Sequence, residues 1–223
     1  MHETRRWLAA TSRYLLIGLG CATAAAQEPD YADVDAYILQ AEMALQREDY
    51  LMAVREYRKA AELSDNPDVA RQAAATGMAY GFDAEALLGA KRWVELDGNS
   101  DEARAFVAQL SYRTGDTRTA RRYFRELLEK GDEPPGEKLV LLTRYLSEAG
   151  DPVDADKLMR SLAKPYPDSA LAHYAAATMA LHSGDIEHAL ERAARAIELD
   201  PDNIKLKLLY GRALLSSGDI DAA

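Results

Sequence analysis

Apolar and polar positions alternate along this chain in the pattern of amphipathic helices joined by short turns. From Val34 onward, apolar residues recur at three- and four-residue spacing, interrupted every few helical turns by polar residues and glycine. The eight prolines lie between these segments or at their first positions, where they do not break a helix. The pattern predicts helices at about 35–47, 50–63, 67–79, 83–96, 101–113, 117–130, 136–148, 152–163, 168–182, 186–199 and 202–216.

The same residue types return at a nearly constant step. The recurring glycines are Gly81, Gly115, Gly150, Gly184 and Gly218, and from Ala86 to Ala223 an alanine follows each of them by five residues. A period near 34 residues is typical of stacked helix–turn–helix repeats. We therefore expect an all-α solenoid of about five and a half repeats. Their predicted limits are 34–66, 67–100, 101–135, 136–169, 170–203 and an incomplete 204–223, after a signal peptide at 1–26 and a linker at 27–33.

The turns inside the repeats have their own signals. Each recurring glycine stands where a helix ends in a left-handed conformation that glycine adopts at least cost. An aspartate follows four of the five and is suited to cap the next helix. The first repeat has Glu48 at the glycine position, so we expect a strained or differently closed turn there.

Small residues recur in pairs twelve positions apart, where the two helices of a repeat should cross. The pairs are Ala41 with Ala53, Ala74 with Ala86, Ala108 with Ala120, Ala177 with Ala189, and Gly211 with Ala223. Small side chains at both positions allow two helices to approach closely, and a bulky one would overpack the joint. Thr143 with Ala155 is a looser pair.

The chain carries a formal net charge of −10. Such a surface repels a phosphate backbone, so nucleic acid is not expected as a partner.

The amino terminus has the order of an export signal. Arg5 and Arg6 precede an apolar run that is too short to span a bilayer, and small residues follow as far as Ala26. We expect export across the inner membrane of a bacterium and a periplasmic location.

Cys21 is the single cysteine, so the chain cannot form an internal disulfide. Two outcomes remain open for it. Cleavage after Ala26 would remove Cys21 with the signal. Alternatively, Gly20-Cys21 resembles the end of a bacterial lipoprotein signal, although Gly18 stands where an aliphatic residue is usual. In that case Cys21 would carry a lipid anchor, the one contact with a membrane that we expect.

No residue set in the sequence predicts catalysis. The four histidines have no zinc-ligand spacing. Asp97-Gly98-Asn99-Ser100-Asp101 resembles the start of a calcium loop but has Glu102 where that loop needs glycine, and it fits a capped turn better. We therefore expect no enzymatic activity, no cofactor and no metal.

The chain resembles the tetratricopeptide repeat family over about residues 34–223. The fifth repeat carries the resemblance best, with Ala177, Gly184, Ala189, Ala193, Ala196 and Pro201, and the sixth has Tyr210-Gly211-Arg212-Ala213-Leu214. The second and fourth repeats depart from the family, with Trp93 and Leu162 where alanine is usual. The resemblance implies a right-handed superhelix that binds proteins.

A narrower resemblance concerns the first repeat. The stretch from Ala44 to Tyr50 and the following Ala53-Val54-Arg55-Glu56-Tyr57 are similar to large exported proteobacterial repeat proteins. Some of these are outer-membrane lipoproteins that present cell-wall hydrolases to a carboxyl-terminal processing protease. This resemblance implies a protease and its substrates as partners, and a native chain that is longer than 223 residues.

In this family the first helix of each repeat lines a concave groove that binds peptides. Transferred to this sequence, the groove positions are Arg71, Gln109, Tyr112, Arg113, Arg144, Glu148, Tyr174, Thr178, His182, Lys205 and Arg212. Arginine and tyrosine are common among residues that dominate binding energy. A solvated helix surface would carry similar residues, so the set is a hypothesis.

The most direct interpretation is a non-enzymatic scaffold or adaptor of the bacterial cell envelope. One alternative is a structural subunit of a secretion, pilus or polysaccharide-export machine. Another is an enzyme whose catalytic domain lies beyond residue 223.

Overall fold

The computed structural model describes residues 31–218. The predicted signal peptide, most of the linker, Cys21 and residues 219–223 lie outside this range. Eleven α-helices account for the regular structure of the described residues. They are α1 (Tyr31–Gln46), α2 (Tyr50–Leu63), α3 (Pro67–Ala79), α4 (Asp83–Leu96), α5 (Asp101–Arg113), α6 (Thr117–Glu129), α7 (Pro135–Ala149), α8 (Pro152–Ala163), α9 (Ala170–Ser183), α10 (Ile186–Leu199) and α11 (Ile204–Ser217).

The predicted helices and the all-α fold class are confirmed, with small shifts at some helix ends. Helix α1 starts at Tyr31, so the last residues of the predicted linker are helical. Helices α9 and α11 start two residues later than predicted. Ser169 and Asn203 cap them by accepting hydrogen bonds from the backbone N–H groups of Ala172 and Lys205.

The helices pack as successive hairpins. Helices α1 and α2, α3 and α4, α5 and α6, and α9 and α10 form close antiparallel pairs, and the second helix of most pairs also packs on the first helix of the next. At the predicted crossings, Ala41 with Ala53, Ala74 with Ala86, Ala108 with Ala120, and Ala177 with Ala189 have no exposed surface. The described helices therefore form a repeat solenoid. Its right-handed superhelix stays a prediction.

Two glycines bring α3 and α4 closer together than alanine would allow. A Cβ atom on Gly89 would lie 2.8 Å from the backbone nitrogen of Ala74, and one on Gly77 would lie 2.8 Å from the Cβ of Ala86. Both distances are shorter than ordinary van der Waals contact. The pattern of small residues twelve positions apart predicted this crossing but did not include these two glycines.

Four of the five turn glycines have the predicted left-handed backbone: Gly81, Gly115, Gly184 and Gly218. Gly150 does not. Its φ of −166° is extended backbone that any residue adopts. Glycine is needed there for another reason, because a Cβ atom would lie 2.6 Å from the hydroxyl oxygen of Tyr112.

Helix α7 departs from the regular stacking. It packs more extensively on α9 than on its hairpin partner α8, and only slightly on α6. Thr143, at the looser crossing, is only half-buried, whereas Ala155 opposite has no exposed surface. Lys138 of α7 ties it to α6 by donating a hydrogen bond to the carbonyl oxygen of Leu127 at 3.3 Å, near the negative end of the α6 dipole.

Glu48 confirms the strain expected in the first turn. It is the one non-glycine residue with positive φ among residues 31–218, at 60°, and its side chain is exposed.

We expect Glu48→Gly to raise the free energy of unfolding by roughly 0.5–1 kcal/mol, because glycine removes the left-handed penalty and no contact is lost. Urea denaturation followed by circular dichroism would measure it.

Gly115→Ala is the matched control for that substitution. Gly115 has φ +86°, and no atom lies within 4 Å of the place that a Cβ would take, so alanine would meet strain without a clash. It should lower the free energy of unfolding by about 1 kcal/mol. A loss of stability in Glu48→Gly would contradict this account of the turn.

Candidate functional site

A groove crosses the first helices of the last three repeats. A cavity of 640 Å³ lies along the carboxyl-terminal halves of α7, α9 and α11. It is lined by Thr143, Arg144, Ser147, Thr178, Met179, Leu181, His182, Leu209, Arg212, Leu215 and Ser216. Because α7, α9 and α11 each contribute, an occupant would contact three repeats at once.

Two arginines and a histidine lie at this groove. Arg144, Arg212 and His182 are exposed, and neither guanidinium forms an ion pair with another residue of the range 31–218. The rest of the molecule is acidic, since the whole chain carries a formal net charge of −10. An unpaired guanidinium can form charge-assisted hydrogen bonds with a carboxylate, often in bidentate geometry. The groove is therefore suited to an acidic ligand.

A second cavity of 320 Å³ lies along the amino-terminal halves of the same helices. Its lining consists of Glu133, Glu137, Val140, Leu141, Leu171, Tyr174, Lys205 and Leu206. Aliphatic side chains dominate here, and Leu141 has 70% of its surface exposed. The two ends of the groove thus differ in character: aliphatic side chains line one end together with Glu133, Glu137 and Lys205, and arginines line the other.

The structure brings together four of the predicted groove residues, namely Arg144, Thr178, His182 and Arg212, around the larger cavity. Tyr174 lines the smaller cavity beside Lys205. The hydroxyl of Thr178 donates to the carbonyl oxygen of Tyr174 at 2.8 Å, so the proton of this hydroxyl is used within α9.

Three predicted residues lie elsewhere. Arg71, near the start of α3, pairs with Asp68 at 3.2 Å. Arg113, at the end of α5, pairs with Asp83 of α4 at 2.9 Å between Nε and Oδ2. Gln109 lines a separate cavity of 360 Å³ between α5, α6 and α7. Neither arginine lines the larger cavity, because α3 and α5 do not border it.

Tyr112 requires a correction. It is 5% exposed and packs in the core with its ring edge-on to that of Tyr145, so it does not line the groove. Burial raises the pKa of its phenol, and Asp154 and Asp151 add to the effect. Its position follows from the packing of α5 against the turn at Gly150, which the repeat pattern does not specify.

The aliphatic part of the groove was not predicted from the sequence. Leu141, Leu209 and Leu215 line its cavities, but their spacing is that of ordinary core positions. Leu141 and Leu215 are 70% and 58% exposed.

Neither a metal site nor a membrane span is found among residues 31–218. In that range no three histidine, cysteine, aspartate or glutamate side chains converge as a metal site would require. None of its helices has the length and apolar character needed to cross a bilayer.

The comparison with protein families supports the repeat assignment. Residues 180–223 match the tetratricopeptide repeat family model, which includes His182 and Arg212 of the groove. This family generally serves as a scaffold for protein interactions, and no enzyme family was found. A search of curated proteins gave no significant match.

Several solved structures are similar to this chain at low sequence identity. MamA 41-end from Desulfovibrio magneticus RS-1 is 15% identical, with 85% of this chain and 88% of that chain covered and a TM-score of 0.37. A tetratricopeptide repeat protein from Parabacteroides merdae ATCC 43184 is 14% identical, with coverages of 84% and 75% and a TM-score of 0.45. YrrB, a TPR protein with an unusual peptide-binding site, is 19% identical, with coverages of 85% and 94% and a TM-score of 0.43.

The two tyrosines of the core differ in the hydrogen bonding of their hydroxyls, and this difference can be tested. The hydroxyl of Tyr145 donates to the carbonyl oxygen of Gln109 at 2.9 Å, whereas the buried hydroxyl of Tyr112 has no partner among the described residues. We expect Tyr145→Phe to lower the free energy of unfolding by about 1 kcal/mol, because it removes a satisfied hydrogen bond. Tyr112→Phe should leave stability unchanged or raise it. Chemical denaturation of the two variants would check this, and an equal loss in both would contradict it.

Proposed function

We propose that this protein is a non-enzymatic scaffold of the bacterial cell envelope that binds a peptide segment of its partners in the groove of α7, α9 and α11. The observation that carries the proposal is the convergence of Arg144, His182 and Arg212 on a 640 Å³ cavity that spans three repeats. A groove built on packed helices changes little on binding, so little ordering free energy is lost.

The two ends of the groove define the ligand that it should prefer. The basic end favours a carboxylate, and the aliphatic end favours an apolar side chain. Tyr174 and Leu181 of α9 line the two ends and are seven residues apart, which is about 10 Å along a helix. An extended peptide covers that distance in about three residues. We therefore propose a motif with an aliphatic residue about three positions from an acidic one.

The envelope location rests on the sequence of residues 1–26, with its paired arginines, short apolar run and small residues before Gln27. Cleavage after Ala26 would release a periplasmic protein, whereas lipidation of Cys21 would hold the same solenoid at a membrane. A periplasmic protease and the cell-wall hydrolases that it degrades are the partners implied by the resemblance of the first repeat. Such partners would reach the groove from the periplasm in both cases.

Charge reversal at the basic end tests the groove. We expect Arg144→Glu and Arg212→Glu each to weaken binding of an acidic peptide by about tenfold or more, because each replaces an attractive contact with a repulsive one. The probe is a fluorescent peptide series in which zero to five residues separate a leucine from a glutamate. Anisotropy titrations should give the tightest binding at about two intervening residues.

Arg113→Glu is the matched control, since Arg113 is an arginine of a first helix that already pairs with Asp83. It should change peptide affinity little. Affinity that is insensitive to both groove substitutions, or equally sensitive to all three, would contradict the proposed site. Circular dichroism of each variant separates a binding defect from loss of helix.

Fusion of residues 1–26 to alkaline phosphatase, an enzyme active only outside the cytoplasm, tests the export signal. We expect activity that is lost when Arg5 and Arg6 are replaced by glutamate, because a positive amino-terminal region directs insertion. A fusion that begins at Gln27 is the control. The intact mass of the mature full chain then distinguishes cleavage after Ala26 from acylation at Cys21, and an inactive fusion would contradict the envelope location.

A further inference from the structure

A cavity on a different side of α9 shares no lining residue with the groove. Its volume is 270 Å³, and it lies between α8, the loop after α8, α9 and α10. It is lined by Arg160, Ala163, Lys164, Pro167, Ala172, His173, Ala176, His188 and Arg192. An occupant of this cavity would not compete for space with a peptide in the groove.

Every ionisable residue of this lining is basic. Arg160 and Lys164 come from the end of α8, His173 from α9, and His188 and Arg192 from α10. Within the described part of the chain, no carboxylate lines the cavity. In a protein with a formal net charge of −10, five basic side chains from three helices around one small cavity need an explanation.

Carboxylates behind the cavity wall hold some of these side chains in place. Asp156 accepts from Nε of Arg160 at 2.8 Å, and Asp185 accepts from Nη2 at 2.6 Å. These contacts raise the pKa of Arg160 and fix the plane of its guanidinium. Glu191 lies 3.3 Å from Arg192, at the exposed surface. Lys164 forms no ion pair with a described residue, so its charge stays available.

The two histidines differ in their surroundings. Nε2 of His173 lies 2.9 Å from the carbonyl oxygen of Pro167, so it carries the proton and donates. Nε2 of His188 is buried without a partner among the described residues, and Nδ1 faces Glu191 at 3.4 Å. Burial lowers the pKa of His188 most, followed by Arg160 and Arg192, while Asp156 and Glu191 act in the opposite direction. An anion among these cations would favour the charged imidazole.

We propose that this cavity is a binding site for a small oxyanion of the phosphate class, either free or carried as a phosphomonoester. Guanidinium and ammonium donors on separate helices reach such an ion from several sides, as a tetrahedral oxyanion requires. A single carboxylate has only two oxygens and would leave some of these donors without an acceptor. The cavity has room for a phosphoryl group and part of the molecule that carries it.

The occupied site would also join α8 and α10 through one ion, since both helices contribute cationic donors. Anything that binds the folded state alone stabilises it by mass action. Phosphate should therefore raise the thermal unfolding midpoint of the full chain, and chloride at equal ionic strength should not.

Calorimetric titration of the full chain with inorganic phosphate at constant ionic strength tests the proposal. We expect saturable binding of one ion, weakened about tenfold in each of Lys164→Ala and Arg192→Ala. Lys157→Ala and Arg195→Ala are matched controls, because they remove a lysine of α8 and an arginine of α10 that do not line the cavity. Heats that do not saturate, or equal losses in the controls, would overturn the proposal.

A second measurement follows His188 by NMR, through the chemical shift of its ring Cε1–H across pH. Sulfate keeps both of its negative charges across this pH titration. At saturation it should raise the pKa of His188 above the value in chloride. Lys164→Ala should reduce that rise. An unchanged His188 titration would overturn the placement of the ion in this cavity even if calorimetry detected binding elsewhere.

Comparison of inorganic phosphate with glycerol 3-phosphate then distinguishes the two sources of the ion. Tighter binding of the ester, lost in Lys164→Ala, would assign a phosphomonoester. Tighter binding of inorganic phosphate would assign the free ion. A glutamate-containing peptide that displaced phosphate from the cavity, and bound more tightly than either, would overturn the preference for a phosphoryl group.

Discussion

The close approach of the two helices in each repeat is the constraint on which the rest of this structure depends. At four crossings both facing residues are alanines without exposed surface, such as Ala177 and Ala189. Short side chains let the helix backbones nearly touch, and larger residues are then placed between repeats. Between α3 and α4 the requirement is stricter, since even a Cβ on Gly89 would come within 2.8 Å of the Ala74 nitrogen. A regular crossing fixes the angle between the two helices of a repeat, and this angle determines how the next repeat stacks on them.

The fourth repeat departs from this close crossing. Thr143 replaces alanine at the crossing of α7 with α8, and α7 packs instead on α9. Helix α7 packs little on α6, and Leu141 of α7 lines two cavities with 70% of its surface exposed. The fourth repeat thus contributes the exposed Leu141 to the apolar end of the proposed peptide site.

Charge is distributed unevenly around α9. One side of this helix contributes His182 to a groove with two arginines that form no ion pair within residues 31–218, and another contributes His173 to the proposed oxyanion cavity. Both cavities are lined by arginines on an acidic molecule, so both are places where an acidic ligand can bind. If both cavities are occupied in the cell, the ion and the peptide would lie on two sides of α9 without sharing a lining residue.

The sequence alone determined the helices, their order and their turns. These follow from local chemistry: apolar periodicity, proline position, capping by residues such as Asp151, and the need for a left-handed backbone at Gly184 or its strain at Glu48. It also indicated the groove residues Arg144, His182 and Arg212, because the period places them on first helices. The tertiary structure alone decided that Tyr112 is buried, that Gly150 is required by a neighbouring ring, and that Arg113 faces Asp83. Those outcomes depend on contacts between repeats, where the displacement of one helix changes which side chains meet, and no periodic pattern along the chain records that displacement.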